Sequence, residues 1–281
     1  MNVVITGITG YISKSLCSYL EKYNEKINVS VISVRGNLNI PAETDIIIHA
    51  AALVHKKESL QNEEEYFKVN TDLTYELALK SRNTGVKQFI FLSTMAIYGD
   101  ICGAIGKCTQ IKPVTFYGKS KLAAEESLQA LQDEHFKVAI VRPPMIYGPA
   151  CPGNYKMLSK LSCKSPIFPK IENKRSMLFI DNLCEFILQL IQNKESGIFH
   201  PQDPQYITTS IIVKEIAKAN KKSVYLSKLA GKLLNIFIGN TAIYQKVFGD
   251  LYYEESVSLY KDNSYQKFNL QQSITVTERK Q

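Results

Sequence analysis

Thr6-Gly7-Ile8-Thr9-Gly10-Tyr11-Ile12-Ser13 is the stretch on which the fold turns. A short apolar run, Asn2–Thr6, precedes it and reads as a strand. Gly10–Tyr23 follows, with Leu16 and Leu20 four residues apart on one helical face. Glycines at such a turn let the backbone bend tightly and approach a pyrophosphate, which the helix N-terminus then stabilises. A lone GxxG is a weak signal, but this one stands where the mechanism needs it, between a first strand and a helix. It predicts dinucleotide contacts at Gly7, Thr9, Gly10, Tyr11 and Ile12. Ser13 occupies the place of the pattern's third glycine, which serves helix–strand packing more than phosphate contact.

Outward from this loop, strand-like segments at Val29–Val34, Asp45–His49, Gln88–Ser93 and Val138–Arg142 alternate with helical stretches at Glu63–Thr84 and Tyr117–Gln132. The alternation predicts an α/β fold, a Rossmann-type doubly wound parallel sheet. A full crossover helix hardly fits between the second and third strands, so Gly36–Thr44 reads as a loop or single turn. Beyond Gly148 the pattern loosens at Pro149, Pro152 and Gly153. The expected organisation is a dinucleotide-binding domain over 1–150, with 176–200 returning to it, and a smaller C-terminal substrate lobe over 151–281. Met177–Ile180 reads as the return strand and Asn182–Gln192 as a helix on the main body. Ser210–Ala219 and Leu229–Phe237 read as lobe helices, and the polar last twenty residues as partly disordered.

Composition narrows the class. With 45% hydrophobic and 21% charged residues, the 281-residue chain is typical of a globular enzyme. No apolar run approaches the ~18 residues of a membrane helix, and residues 1–6 lead straight into a strand, so the expected compartment is cytoplasmic, with no membrane partner. Six scattered cysteines read as reduced thiols, and four dispersed histidines offer no ligand spacing, so no metal is expected. The net charge of +8 suits a nucleotide or diphosphate. The lysines are spread over many helices without a basic run, which argues against nucleic acid.

Tyr117-Gly118-Lys119-Ser120-Lys121 carries the chemistry. Tyr117 and Lys121, four residues apart, share one helix face. A phenol titrates near ~10, and an ammonium beside it would bring it toward neutral pH. In Leu92-Ser93-Thr94-Met95-Ala96-Ile97-Tyr98-Gly99, at the end of the fourth strand, Ser93 and Thr94 fall where ligand groups gather in a doubly wound sheet. From Asn28 to Ala42 there is no Asp or Glu to hold the adenosine ribose of NAD. Ser33 stands about where that carboxylate would be and Arg35 follows, a pair better suited to a 2′-phosphate. The cofactor expected is NADP or NAD, with NADP favoured.

As a set, TGITG, HAAA at 49–52, Asn70, STMAIYG, YGKSK and RPPMIYGP resemble the extended short-chain dehydrogenase/reductase family, in its NAD-dependent epimerase/dehydratase branch for nucleotide sugars. The resemblance covers residues 1 to about 195. It implies that Thr94 hydrogen-bonds the sugar oxygen undergoing redox, with Ser93 the alternative one register away. Tyr117 would pass the proton, and Lys121 would hold the nicotinamide ribose. Ala50, Ala51 and Ala52 would let the backbone pass close to the cofactor, which Pro144 would also touch. Asn70 would support local backbone, and His49 reads as a packed strand residue. Asn154 and Arg175 fall near the family's contacts to the nucleotide-sugar diphosphate, so a UDP-linked sugar is the expected substrate. The resemblance also implies a homodimer through the two long helices. Leu73, Leu77, Leu122 and Leu128 would serve that contact or a monomer core equally well.

Departures from the family narrow the reaction. Sugar 4,6-dehydratases carry Asp-Glu after the threonine, where this chain has Met95 and Ala96, neither able to move a proton. The epimerase-reductases that make GDP-fucose place a Cys where Ala96 stands. Two readings stay open: reduction of a UDP-4-keto-sugar at C4, favoured by Pro144 and the missing ribose carboxylate, and 4-epimerisation of the UDP-glucose/galactose type. A third, from another class, is a dinucleotide-binding redox sensor without turnover. Such proteins usually lose the Tyr or Lys that this chain keeps.

Overall fold

The computed structural model describes residues 1–36, 38–54, 59 and 62–279, without the side chains of Asn154 and Ile243. Two compact units divide the chain. The first comprises Met1–Asp100, Thr109–Pro143 and Leu183–Pro201, and the second Ile101–Cys108, Pro144–Asn182 and Gln202–Gln281. The return to the first unit therefore spans 183–201, where 176–200 was expected.

The first unit is built on strands β1 (Asn2–Thr6), β2 (Asn28–Ile32), β3 (Ile46–His49), β4 (Gln88–Leu92), β6 (Lys137–Val141) and β10 (Gly197–Phe199); β5 (Gly103–Ile105) belongs to the second unit. The six lie in the order β10-β6-β4-β3-β1-β2, every pair parallel. β3 and β4 are buried along their whole length, as strands covered on both faces must be. Helix α1 (Tyr11–Tyr23) follows the glycine loop. Helix α2 (Glu63–Phe67), a π-helical turn Lys68–Asp72 and α3 (Leu73–Asn83) form one continuous run, and α4 (Phe116–Leu131) carries the Tyr/Lys pair. Among the described residues no helix joins β2 to β3. Val34 enters the core from that connection, and Leu38 and Ile40 pack against it, covering apolar surface that a crossover helix would otherwise cover. Leu77 and Leu128, considered above for a dimer contact, lie fully buried in the same core.

The second unit is made of short pieces. β7 (Met145–Tyr147) pairs with β9 (Met177–Phe179), β8 (Ile167–Pro169) with β11 (Tyr225–Ser227), and β5 with β12 (Leu251–Tyr253), all parallel. Met177–Phe179 thus joins a separate two-stranded ribbon, and β10 is the strand that returns to the main sheet. Helices α5 (Asn154–Lys164), α7 (Thr209–Ala219), α8 (Lys228–Ile238), α9 (Ala242–Phe248) and α10 (Glu255–Ser258) lie in this unit, and α6 (Ile180–Gln192) runs from it into the first. The polar terminus, expected to be partly disordered, forms helix α11 (Leu270–Arg279). Ser273, Ile274 and Thr277 are buried along one of its faces, so the polar composition concealed a helical period that buries small hydroxylic residues.

Candidate active site

The glycine loop forms a tight turn. Gly7 adopts φ +94°, and the Gly10 amide donates to its carbonyl at 2.9 Å. A Cβ on Gly7 would stand 3.0 Å from Ser13 Oγ and 3.3 Å from the Ala51 backbone. Ser13, in the third-glycine position, is buried and donates to the Thr6 carbonyl at 2.9 Å. Helix α1 begins at Gly10 with no side-chain cap and no acidic residue in its first turn. Its leading amide groups and positive dipole end therefore suit an anion. This cradle fits a dinucleotide pyrophosphate.

A buried relay holds the loop against β3. Thr74 gives its hydroxyl proton to the Asn70 carbonyl (2.8 Å), so it accepts from His49 Nε2 (2.9 Å). His49 Nδ1 is then the acceptor for the Thr6 hydroxyl at 2.8 Å, and Thr6 Oγ1 accepts the amides of Ala50 and Ala51, each at 3.2 Å. Burial drives the His49 pKa down to about 3, so the ring stays neutral with its proton on Nε2. Asn70, in the π-helical turn, accepts the Leu53 amide at 2.8 Å and donates to the Leu53 carbonyl at 3.1 Å and to Ser120 at 3.0 Å. It ties the segment after β3 to the helix that bears Lys121.

Ser33 and Arg35 are both exposed beyond the carboxyl end of β2. The Arg35 amide donates to Ser33 Oγ at 3.1 Å, and the guanidinium has no ion-pair partner among the described residues.

Beyond β4 the two hydroxyls part. Ser93 is buried and donates to Glu125, while Thr94 caps the 3₁₀ turn Met95–Tyr98 by accepting the Ala96 amide at 3.1 Å. Thr94 also hydrogen-bonds Tyr117. The approach of α4 to this turn depends on Gly118, whose added Cβ would stand 2.9 Å from the Ala96 carbonyl. Thr115 caps α4 by accepting the Gly118 amide at 3.0 Å. Burial pushes the half-buried Tyr117 phenol up to about 12, and the bond to Thr94 partly offsets that rise. The lowering of Tyr117 by Lys121 expected from the sequence is not what the protein's own groups produce. Lys121 is fully buried, its Nζ lies 3.9 Å from the Phe91 ring centroid, and it forms no hydrogen bond among the described residues. Desolvation brings its own pKa down to about 7, against the pull of Glu125.

Sequence reasoning missed the network beneath this pair. Glu125 accepts from Arg142 Nε at 3.1 Å through each carboxylate oxygen and from Nη2 at 2.6 Å. Arg142 Nη1 donates to the Tyr98 hydroxyl at 2.9 Å, and that hydroxyl lies 2.8 Å from His200 Nε2. Two signals were available. Glu125 lies one helical turn past Lys121, and Arg142 is a charged residue closing an apolar strand.

Pro144, Asn154 and Arg175 belong to the second unit. Pro144 is buried and Asn154 opens α5. Arg175 Nη1 donates to the carbonyls of Lys246 (3.2 Å) and Gly249 (3.0 Å), capping the end of α9. Among the described residues no group of three or more His, Cys, Asp or Glu could hold a metal, and no helix is long and apolar enough to cross a membrane.

The fold, a Rossmann-type parallel sheet with a second unit, is one shared with solved sugar-nucleotide epimerases. Residues 3–200 match the model of the NAD dependent epimerase/dehydratase family. A UDP-glucose 4-epimerase from Vibrio cholerae is 28% identical over 89% of this chain and 86% of its own length. A UDP-2-acetamido-2,6-beta-L-arabino-hexul-4-ose reductase from Pseudomonas aeruginosa is 30% identical over 78% of this chain, which spans 56% of that relative. The solved UDP-glucuronic acid 4-epimerase from Bacillus cereus, in complex with NAD, superimposes over all of this chain and 96% of its own with a TM-score of 0.76 at 17% identity. The chain belongs to the NAD-dependent epimerase/dehydratase family, as an NAD(P)-dependent enzyme of the nucleotide-sugar epimerase/reductase kind.

Proposed function

We propose that the protein reduces a UDP-linked 4-keto-sugar at C4, with Tyr117 as the proton donor. The observation that carries this reading is the Tyr117 phenol, hydrogen-bonded to Thr94 and held protonated by burial. Reduction calls on that phenol as an acid, and the absence of any Asp or Glu from Asn28 to Ala42, with Ser33 and Arg35 beyond β2, suits the NADPH that a one-way reduction consumes. NADPH or NADH, when bound, would supply the hydride and leave as NADP+ or NAD+. Tyr117 gives its proton to the carbonyl oxygen as that oxygen becomes an alkoxide. Thr94 orients the same oxygen, and Lys121 holds the nicotinamide ribose and, once charged, favours the phenolate that proton transfer leaves behind. Gly7, Thr9, Gly10, Tyr11 and Ile12 hold the pyrophosphate, Ala50 to Ala52 let the backbone approach the cofactor, and Pro144 touches it. Ser33 and Arg35 favour NADP, since a guanidinium matches phosphate oxygens in bidentate geometry. Arg175 would contact the UDP diphosphate through the nitrogens that do not cap α9, and Asn154, whose side chain lies outside the described residues, is proposed for the same ligand.

UDP-hexose 4-epimerisation is the second reading, and the Vibrio cholerae relative, aligned over most of both chains, favours it. One assay separates them. Purified protein is given NADPH or NADH with a UDP-4-keto-sugar, and separately UDP-glucose or UDP-galactose with NAD. Net oxidation of the reduced cofactor supports reduction. Interconversion of the hexoses without net cofactor change supports epimerisation. Neither activity would remove both readings.

A further inference from the structure

Helix α8 turns a row of apolar side chains outward. Leu229 is 68%, Leu233 45%, Ile236 74% and Phe237 78% exposed. At the helical repeat these four fill one continuous arc about 100° wide. The rotation of the helix is fixed from its opposite side. Gly231 lies against the Lys170 carbonyl, where an added Cβ would stand 2.3 Å from the oxygen, and Ser227 caps the start by accepting the Ala230 amide at 3.1 Å. The outward row is thus a consequence of how α8 is seated. The strands leading into it continue the exposure: Tyr225 and Ile167, register partners in the β11–β8 pair, are 70% and 56% exposed.

Charge lines one edge of this ridge. Lys228 and Lys232 are exposed and occupy adjacent positions along one edge of the arc. Residues 211–249 contain seven lysines and one acidic residue, and residues 154–174 five lysines and one acidic residue. The second unit as a whole has 18 Lys and Arg against 9 Asp and Glu, while the first has 16 against 17, so the chain's positive charge resides in the second unit. An apolar helical arc edged by lysines has the composition of helices that lie in a lipid interface. A second copy of the chain fits less well, because two such faces would bring like charges together. Side chains that protrude this far also suit a fluid interface better than a preformed pocket.

We propose that α8 is a peripheral docking element that seats its apolar arc at the surface of an anionic lipid bilayer, with the neighbouring lysines on the headgroups. The test is co-sedimentation of the full chain with vesicles of phosphatidylcholine alone, or with about one-third phosphatidylglycerol. Binding to the anionic vesicles, weakened by salt, is expected. Ile236→Glu with Phe237→Glu should lower partitioning at least about tenfold, and Lys228→Glu with Lys232→Glu about tenfold at low salt. All four positions are exposed, so unfolding midpoints should stay at the wild-type value. No binding to anionic vesicles would overturn the proposal, as would undiminished binding by both variants. A wild-type dimer in sedimentation velocity that the Ile236/Phe237 variant converts to monomer would assign the face to a second copy instead.

Discussion

Replacing Glu125 with alanine isolates the buried network under the Tyr/Lys pair. The carboxylate is fully buried, receives Arg142 through two guanidinium nitrogens and accepts the Ser93 hydroxyl. Alanine leaves a guanidinium only 6% exposed with no anion beside it. Breaking a buried ion pair from one side costs about 3–5 kcal/mol, and the stranded Ser93 hydroxyl adds about 1 kcal/mol. Against a total stability on the order of 10 kcal/mol, that is a large fraction. The thermal midpoint should fall by roughly 10 °C. Urea unfolding at neutral pH, followed by circular dichroism, would compare Glu125→Ala, Arg142→Met and the double variant Glu125→Ala/Arg142→Met. If desolvated charge is the cause, the double variant should be more stable than the sum of the singles by at least about 2 kcal/mol. A loss below about 1 kcal/mol in Glu125→Ala, or strict additivity in the cycle, would refute the reasoning.

Tyr117→Phe should abolish turnover while changing cofactor affinity, read by fluorescence titration, by less than about threefold, since it removes one hydroxyl from the proton path. Lys121 falls from 10.5 to about 7 on folding, so the unfolded chain binds the extra proton between those values and stability from this group rises with pH across that window. Lys121→Met should accordingly stabilise the protein most below pH 7, with the gain fading toward pH 10, as urea midpoints at several pH values would show. Gly118→Ala should cost about 1–3 kcal/mol and lower kcat as well, because the new methyl pushes α4 away from the turn that holds Thr94. Arg35→Ala should raise KM for NADPH about tenfold and leave that for NADH unchanged, measured by steady-state kinetics with each cofactor.

The parallel sheet was legible because its strands are short, continuous apolar runs between helical stretches, and β1, β3, β4 and β6 lie within a residue or two of where that pattern places them. The glycine loop was legible for a related reason: its chemistry is local in sequence. What escaped was non-local. Glu125, Arg142, Tyr98 and His200 come together only when α4, β6 and the chain after β10 are folded, and no single window contains them. Met177–Phe179 had the apolar character of a sheet strand, but strand propensity does not name a partner, and its partner is Met145–Tyr147. Helix α11 was missed because its buried face uses Ser273 and Thr277, small polar residues that a hydrophobic period does not count. The Lys121 effect on Tyr117 was misread because spacing on a helix fixes a shared face without fixing what the ammonium lies against, here the Phe91 ring.

The link between β2 and β3, without a helix among its described residues, has a consequence for handling the protein. β2 ends the sheet, with only β1 beside it among the described residues, so one row of its peptide groups is unpaired in ready-made strand geometry. Asn28 and Ser30 are the exposed residues of that strand, and neither carries a charge to repel an incoming chain. Concentrated stocks should therefore begin to associate edge to edge along Asn28–Ile32, and a lysine in place of Ser30 is the least intrusive way to keep them apart.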